Sequence, residues 1–219
     1  MGTRIKKPLY VKCNKLPLRG LGGPIIMKHY LFSVVRNATD TKVERMTSRQ
    51  IRQLSISMSM TLISSIRQGN SDLKRNLPAV CWGAEFRDGR RKATDDKGEN
   101  NIKDSGLRFI DIDHVTTATD PATRRGEVIA FYETFIAPVI DQREDVTVLH
   151  VQISPSGNGL HVVWAERDGV KRTMEESQAR FARLCDLPVY DDKCKDQGRM
   201  LFLSPIEDTL FDLTDMVLE

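Results

Sequence analysis

The chain has 219 residues, 40% of them hydrophobic, and Lys plus Arg exceed Asp plus Glu by only 33 to 30, a formal charge of +3. A packed core of one sizeable domain, or of two small joined ones, is expected, and so small a charge excess does not by itself announce nucleic acid. No apolar run approaches the roughly eighteen residues of a membrane span, the N-terminus lacks a secretory apolar stretch, and Cys13, Cys81, Cys185 and Cys194 have no zinc-like spacing, so the expectation is a cytoplasmic protein with reduced thiols.

Residues 1–28 carry Arg4, Lys6, Lys7, Lys12, Lys15, Arg19 and Lys28 with no acid, which suits a solvated tail or a phosphate-backbone contact. Gly20 to Pro24 reads as a break, and Tyr30 to Val35 as the first strand. From Ser48 to Gln68, Ile51, Leu54, Met58, Leu62, Ile63 and Ile66 recur at helical steps, predicting one amphipathic helix stopped by Gly69-Asn70, with Met58 and Met60 as core filler. Pro78 introduces a short strand, Ala79 to Phe86. Residues 87–105 are almost wholly polar and read as a mobile loop, whose Arg87, Arg90, Arg91 and Lys92 could reach a nucleic-acid backbone.

The stretch Gly106-Leu-Arg-Phe-Ile-Asp-Ile-Asp113 predicts a strand. Residues two apart share a face, so Asp111 and Asp113 stand side by side while Ile110 and Ile112 turn into a core. Two such carboxylates repel unless a divalent cation neutralises them, and hard oxygen donors suit Mg²⁺ or Mn²⁺. A helix then starts at Pro121 after the Asp120 cap and ends at Pro138. It is followed by strand 146–154, a Ser154-Pro-Ser-Gly-Asn-Gly159 turn, strand 160–166, a helix opened by the Thr173–Glu176 capping box, and a last strand from Met200 to Leu203. This β-α-β-β-α-β order is that of ferredoxin-like and RNA-recognition folds. In the usual 4-1-3-2 sheet the Asp111 strand is central, flanked by the strands of His161 and Met200, so Asp111, Asp113, His161 and the approach 191–199 converge at one strand end. Each has a plainer reading: His161 as a satisfied strand histidine, the turn as a hairpin loop, Asp191 and Asp192 as solvated turn residues.

The segments FIDIDHV (109–115), SPSGNGLHVVW (154–164) and YDDKCKDQGRMLFLS (190–204) resemble the three ordered motifs of the archaeo-eukaryotic primase superfamily. Leu73-Lys-Arg-Asn-Leu-Pro78 resembles the upstream element of its VirE N-terminal-like primase-polymerase subgroup. The resemblance implies an α+β fold: a catalytic βαββαβ unit over 106–219, with an N-terminal αβ module (29–105) packed on it and the basic segment 1–28 ahead. It further implies template-directed nucleotidyl transfer from an NTP or dNTP to a 3′-hydroxyl on single-stranded DNA template and primer, with a helicase or other replication protein as partner. Asp111, Asp113 and a third aspartate would hold two Mg²⁺ or Mn²⁺ ions. The eight-residue step to Arg199 favours Asp191 for that third position, with Asp192 and Asp196 as alternatives. His161, Ser154, Ser156, Gly157, Gly159, Lys195 and Arg199 would hold the nucleotide. Two other readings stand beside this one: a non-catalytic primase-like nucleic-acid-binding module in replication initiation or defence, and a metal-dependent nuclease or small-molecule nucleotidyltransferase.

Overall fold

The computed structural model describes residues 31–142, 146–191 and 193–214; the basic segment 1–28 and Asp192 lie outside them. In chain order the elements are β1 (Phe32–Val35), β2 (Glu44–Met46), α1 (Ser48–Ile56), α2 (Met60–Arg67), a 3₁₀ turn (Ser71–Asn76), β3 (Ala79–Cys81), β4 (Ala84–Phe86), β5 (Ile102–Asp104) and β6 (Leu107–Ile112). There follow α3 (Pro121–Phe131), a π-helical turn (Tyr132–Ile136), α4 (Ala137–Gln142), β7 (Val146–Ile153), β8 (Leu160–Glu166), α5 (Met174–Leu184), β9 (Leu201–Phe202), a 3₁₀ turn (Ile206–Asp208) and β10 (Thr209–Asp212). The fold is α+β with antiparallel sheets, and no helix of the described residues is long and apolar enough to cross a membrane.

One four-stranded sheet has the order β2-β1-β3-β9, a second β10-β7-β8-β6, and β4 and β5 form a ribbon. Alternation along each strand divides the core. Ile110 and Ile112 of β6 and Leu160, Val162 and Trp164 of β8 pack with Val128, Ile136 and Phe181 from the helices. On the opposite face, Leu107, Phe109 and Val163 meet Phe32, Val34, Val80 and Leu201 of the first sheet, with Trp82 and Leu203 just past the ends of its strands. Burying a side chain such as Phe109, which is 0% exposed, stabilises the fold by about 1.5–3 kcal/mol. Asp111 and His161 continue the Phe109 and Val163 rows, so their side chains enter the gap between the sheets at its end.

The strand order departs from expectation. β9 pairs with β3 (Val80↔Leu201, Ala79↔Phe202) and not with β6, which lies at a sheet edge rather than at its centre. Leu201 and Leu203 gain burial beside Val80 in that position. The free edge of β6 is covered instead: Gln178 Nε2 donates to the Phe109 carbonyl at 2.9 Å, and the Asp191 N–H to the Asp111 carbonyl at 2.9 Å.

Other differences have local causes. The expected helix 48–68 is two helices, because the Ser57 hydroxyl bonds back to the Leu54 carbonyl and Ser59 caps a new helix through the Leu62 N–H; Met60, first in that helix, is 53% exposed and fills no core. Strand 79–86 is broken at Trp82-Gly83. Pro138 does not end its helix: the π turn upstream sends the Ala137 N–H to the Tyr132 carbonyl, so the missing proline donor falls where the ladder has already shifted. Residues 87–105 carry more structure than their composition announces. Fully buried Asn101 accepts from the Asp88 N–H and donates to the Arg90 and Lys92 carbonyls, and β5 pairs with β4. The Asp120 cap and the Thr173–Glu176 capping box form as expected.

Candidate functional site

The β8 register sets His161 opposite Asp111 and Leu160 opposite Ile112. The Ser154–Gly159 turn bends tightly enough to bring Gly159 onto the end of β6. A Cβ there would lie 2.2 Å from the Ile112 carbonyl oxygen, so only glycine fits. Gly157 adopts φ +76°, and the Asn158 carbonyl accepts from the Val115 N–H at 2.9 Å. The chain leaves Asp113 through His114 at φ 58°, a left-handed conformation that turns it sharply away from the sheet.

Lys74, Arg91, Asp111, Asp113, Ser154, Pro155, His161, Asp196, Gly198, Arg199, Met200 and Phe202 line a cleft of about 410 Å³. Its floor is electrostatically set. Burial first, then the neighbouring Asp191 charge, pushes Asp111 up to about 6. Asp113 is also raised, by burial and by Asp111. Burial drives His161 down to about 4, so the ring is neutral near pH 7. Gln152 fixes its tautomer: Nε2 donates to the Phe202 carbonyl at 2.8 Å and to His161 Nδ1 at 2.9 Å, while Oε1 accepts from the Ser204 N–H. His161 Nδ1 is therefore the acceptor, and Nε2–H faces Asp111 Oδ1 at 3.5 Å. Asp111 Oδ1 is buried and has no hydrogen-bond partner.

Asp111, Asp191 and Cys194 bring ligand atoms within 4.8 Å of one another. The Cys194 thiol donates to Asp191 Oδ2 at 3.0 Å; burial, with that hydrogen bond, pushes the thiol up to about 12, and the same hydrogen bond, against burial, holds Asp191 below its ordinary range. A protonated thiol is a poor ligand for a hard cation, whereas the orphaned Asp111 oxygen and the Asp191 carboxylate are suitable donors, so the residues present fit Mg²⁺ or Mn²⁺.

The structure thus gathers Asp111, Asp113, His161, Ser154 and Arg199 on one cleft, with Asp191 bonded to Asp111 from the side. Asp113 lines the cleft but lies outside the three-residue ligand group, where Cys194 stands instead. Ser156, Gly157 and Gly159 build the turn without lining the cleft. Lys195 pairs with Glu175 at 2.5 Å, away from it. Of the basic loop residues only Arg91 lines it; Arg87 is exposed, and Arg90 and Lys92 both pair with Asp96. Sequence reasoning missed Cys194, Gln152 and Lys74. The first looked like a scattered thiol and the second like one more strand residue, while Lys74 sat in an element quoted only for its likeness.

No family model, no curated protein and no solved structure matches this chain.

Proposed function

We propose that the chain is a nucleotidyltransferase of primase-polymerase type, extending a 3′-hydroxyl on a DNA template with an NTP or dNTP. The observation that carries the reading is the convergence of Asp111, Asp113, His161, Ser154 and Arg199 from separate chain segments on one cleft. The superfamily-like motifs of the sequence supply the rest of the support.

In this reading Asp111 and Asp191, with Asp113 beside them, hold Mg²⁺ or Mn²⁺. Such an ion lowers the pKa of the attacking hydroxyl and offsets charge on the leaving pyrophosphate. The chain's own groups bind and orient. Neutral His161, with Nε2–H set by Gln152, donates to a phosphate oxygen; Arg199 offers two or more donors to the same group; and Ser154, at the turn, adds a hydroxyl. The Cys194 thiol holds the Asp191 carboxylate in its rotamer. Replacing Asp111→Asn together with Asp113→Asn is expected to abolish Mg²⁺- or Mn²⁺-dependent extension of a primed template, with the circular dichroism of the fold retained. Unchanged extension overturns the reading, and DNA binding by a wild-type chain that never extends favours the non-catalytic module.

A further inference from the structure

The 3₁₀ turn Ser71–Asn76 is pinned by its apolar residues. Leu73 packs on Ile63, Ile66 and Leu77, Leu77 is 1% exposed, and the Pro78 carbonyl accepts from the Leu203 N–H at 2.9 Å. That anchoring leaves Lys74, half-buried, on the cleft wall. Three other lysines close onto carboxylates: Lys92 onto Asp96, Lys103 onto Glu85, Lys195 onto Glu175. Lys74 makes no ion pair among the described residues, although Asp111, Asp113 and Asp196 line the same cleft and its charge bears on Asp111, Asp113 and His161. An ammonium held partly out of water, without a carboxylate against it, is available to an anion brought from outside. Arg91 and Arg199 complete a set of three cations drawn from three separate segments of the chain. Three cations spread around one cleft match an anion with several charges along its length, such as a chain of phosphates.

We propose that Lys74 contacts the distal phosphates of a nucleoside triphosphate in this cleft, and thereby makes the site select triphosphates over monophosphates. The proposal rests on the nucleotidyl-transfer reading above. It is tested by titrating the full chain with fluorescent mant-ATP and mant-AMP in Mg²⁺, for wild type, Lys74→Ala and Lys74→Arg, with thermal melts as the folding control. The wild type is expected to prefer mant-ATP. Lys74→Ala should lose about 10- to 100-fold in mant-ATP affinity, the worth of one charge-assisted contact, with mant-AMP unchanged, and Lys74→Arg should keep most of it. Equal mant-ATP affinity in Lys74→Ala and wild type overturns the proposal alone. A wild-type chain that binds neither nucleotide overturns it together with the nucleotidyl-transfer reading.

Discussion

Asp111 is where the fold and the site pull against each other. Its carboxyl is raised from an ordinary 3.8 to about 6, so ionising it costs more in the folded chain than in the unfolded one. A raised carboxyl contributes stability below its unfolded pKa and loses it as pH rises through the folded one; here the window is about pH 4 to 6. Roughly two pKa units set an upper limit of about 3 kcal/mol. His161 works in the opposite direction across a similar window. It is lowered from 6.5 to about 4, so its contribution falls as acid protonates the unfolded chain first. Asp111→Asn should therefore melt at a higher temperature than wild type at pH 7 without metal, with the gap closing toward pH 4. Added Mg²⁺ should raise the melting temperature of the wild type and not of the variant. An Asp111→Asn chain less stable at pH 7 than wild type would show that the carboxylate's contacts outweigh its burial.

At the scale of elements, the turn that presents Ser154 is held from outside. Arg67 Nε donates to the Pro155 carbonyl, and Arg124 Nη1 to the Arg67 and Ser156 carbonyls. Arg67 and Arg125 both close on Asp208, which is 2% exposed, so α2, α3 and the 3₁₀ turn before β10 share one buried carboxylate. Removing one partner of a buried ion pair leaves the others uncompensated, at about 3–5 kcal/mol. Asp208→Ala should lower chemical-denaturation stability by that order, and its loss should exceed that of Arg125→Ala, whose side chain is 39% exposed. Indistinguishable midpoints for Asp208→Ala and wild type would contradict the clamp. Elements that depend on their own residues were legible in the sequence. Asp120 with Pro121, the Thr173–Glu176 box, and the β7 and β8 strands on either side of the 154–159 turn all stand within a residue or so of expectation. Those decided by competition were not: serines 57 and 59 split a helix whose apolar spacing runs on unbroken, and Asn101 organises a stretch in which periodicity carries no signal.

For the whole molecule, the β7-β8 hairpin was readable from its short connection, and β8 beside β6 from the usual 4-1-3-2 order of such a fold. The partner of β9 was not. Val80 and Phe109 both present apolar rows to the gap between the sheets, and only the assembled core decides that Leu201 lies along β3. The site survives this change because its convergence needs only the chain just ahead of β9 to reach the end of β6. A single backbone bond from Asp191 to Asp111 accomplishes that. Cys194 and Lys74 were invisible as site residues for the same reason, since each acquires its neighbours through contacts between layers. The decisive property proposed for this junction of the two sheets is that it receives a cation and a triphosphate together. A crystal soaked with Mn²⁺ and a nucleoside triphosphate tests that by anomalous scattering. The prediction is Mn²⁺ against Asp111 and Asp191, with the phosphates along His161, Arg199 and Lys74; a cleft that takes neither, or a triphosphate bound elsewhere on the chain, would contradict it.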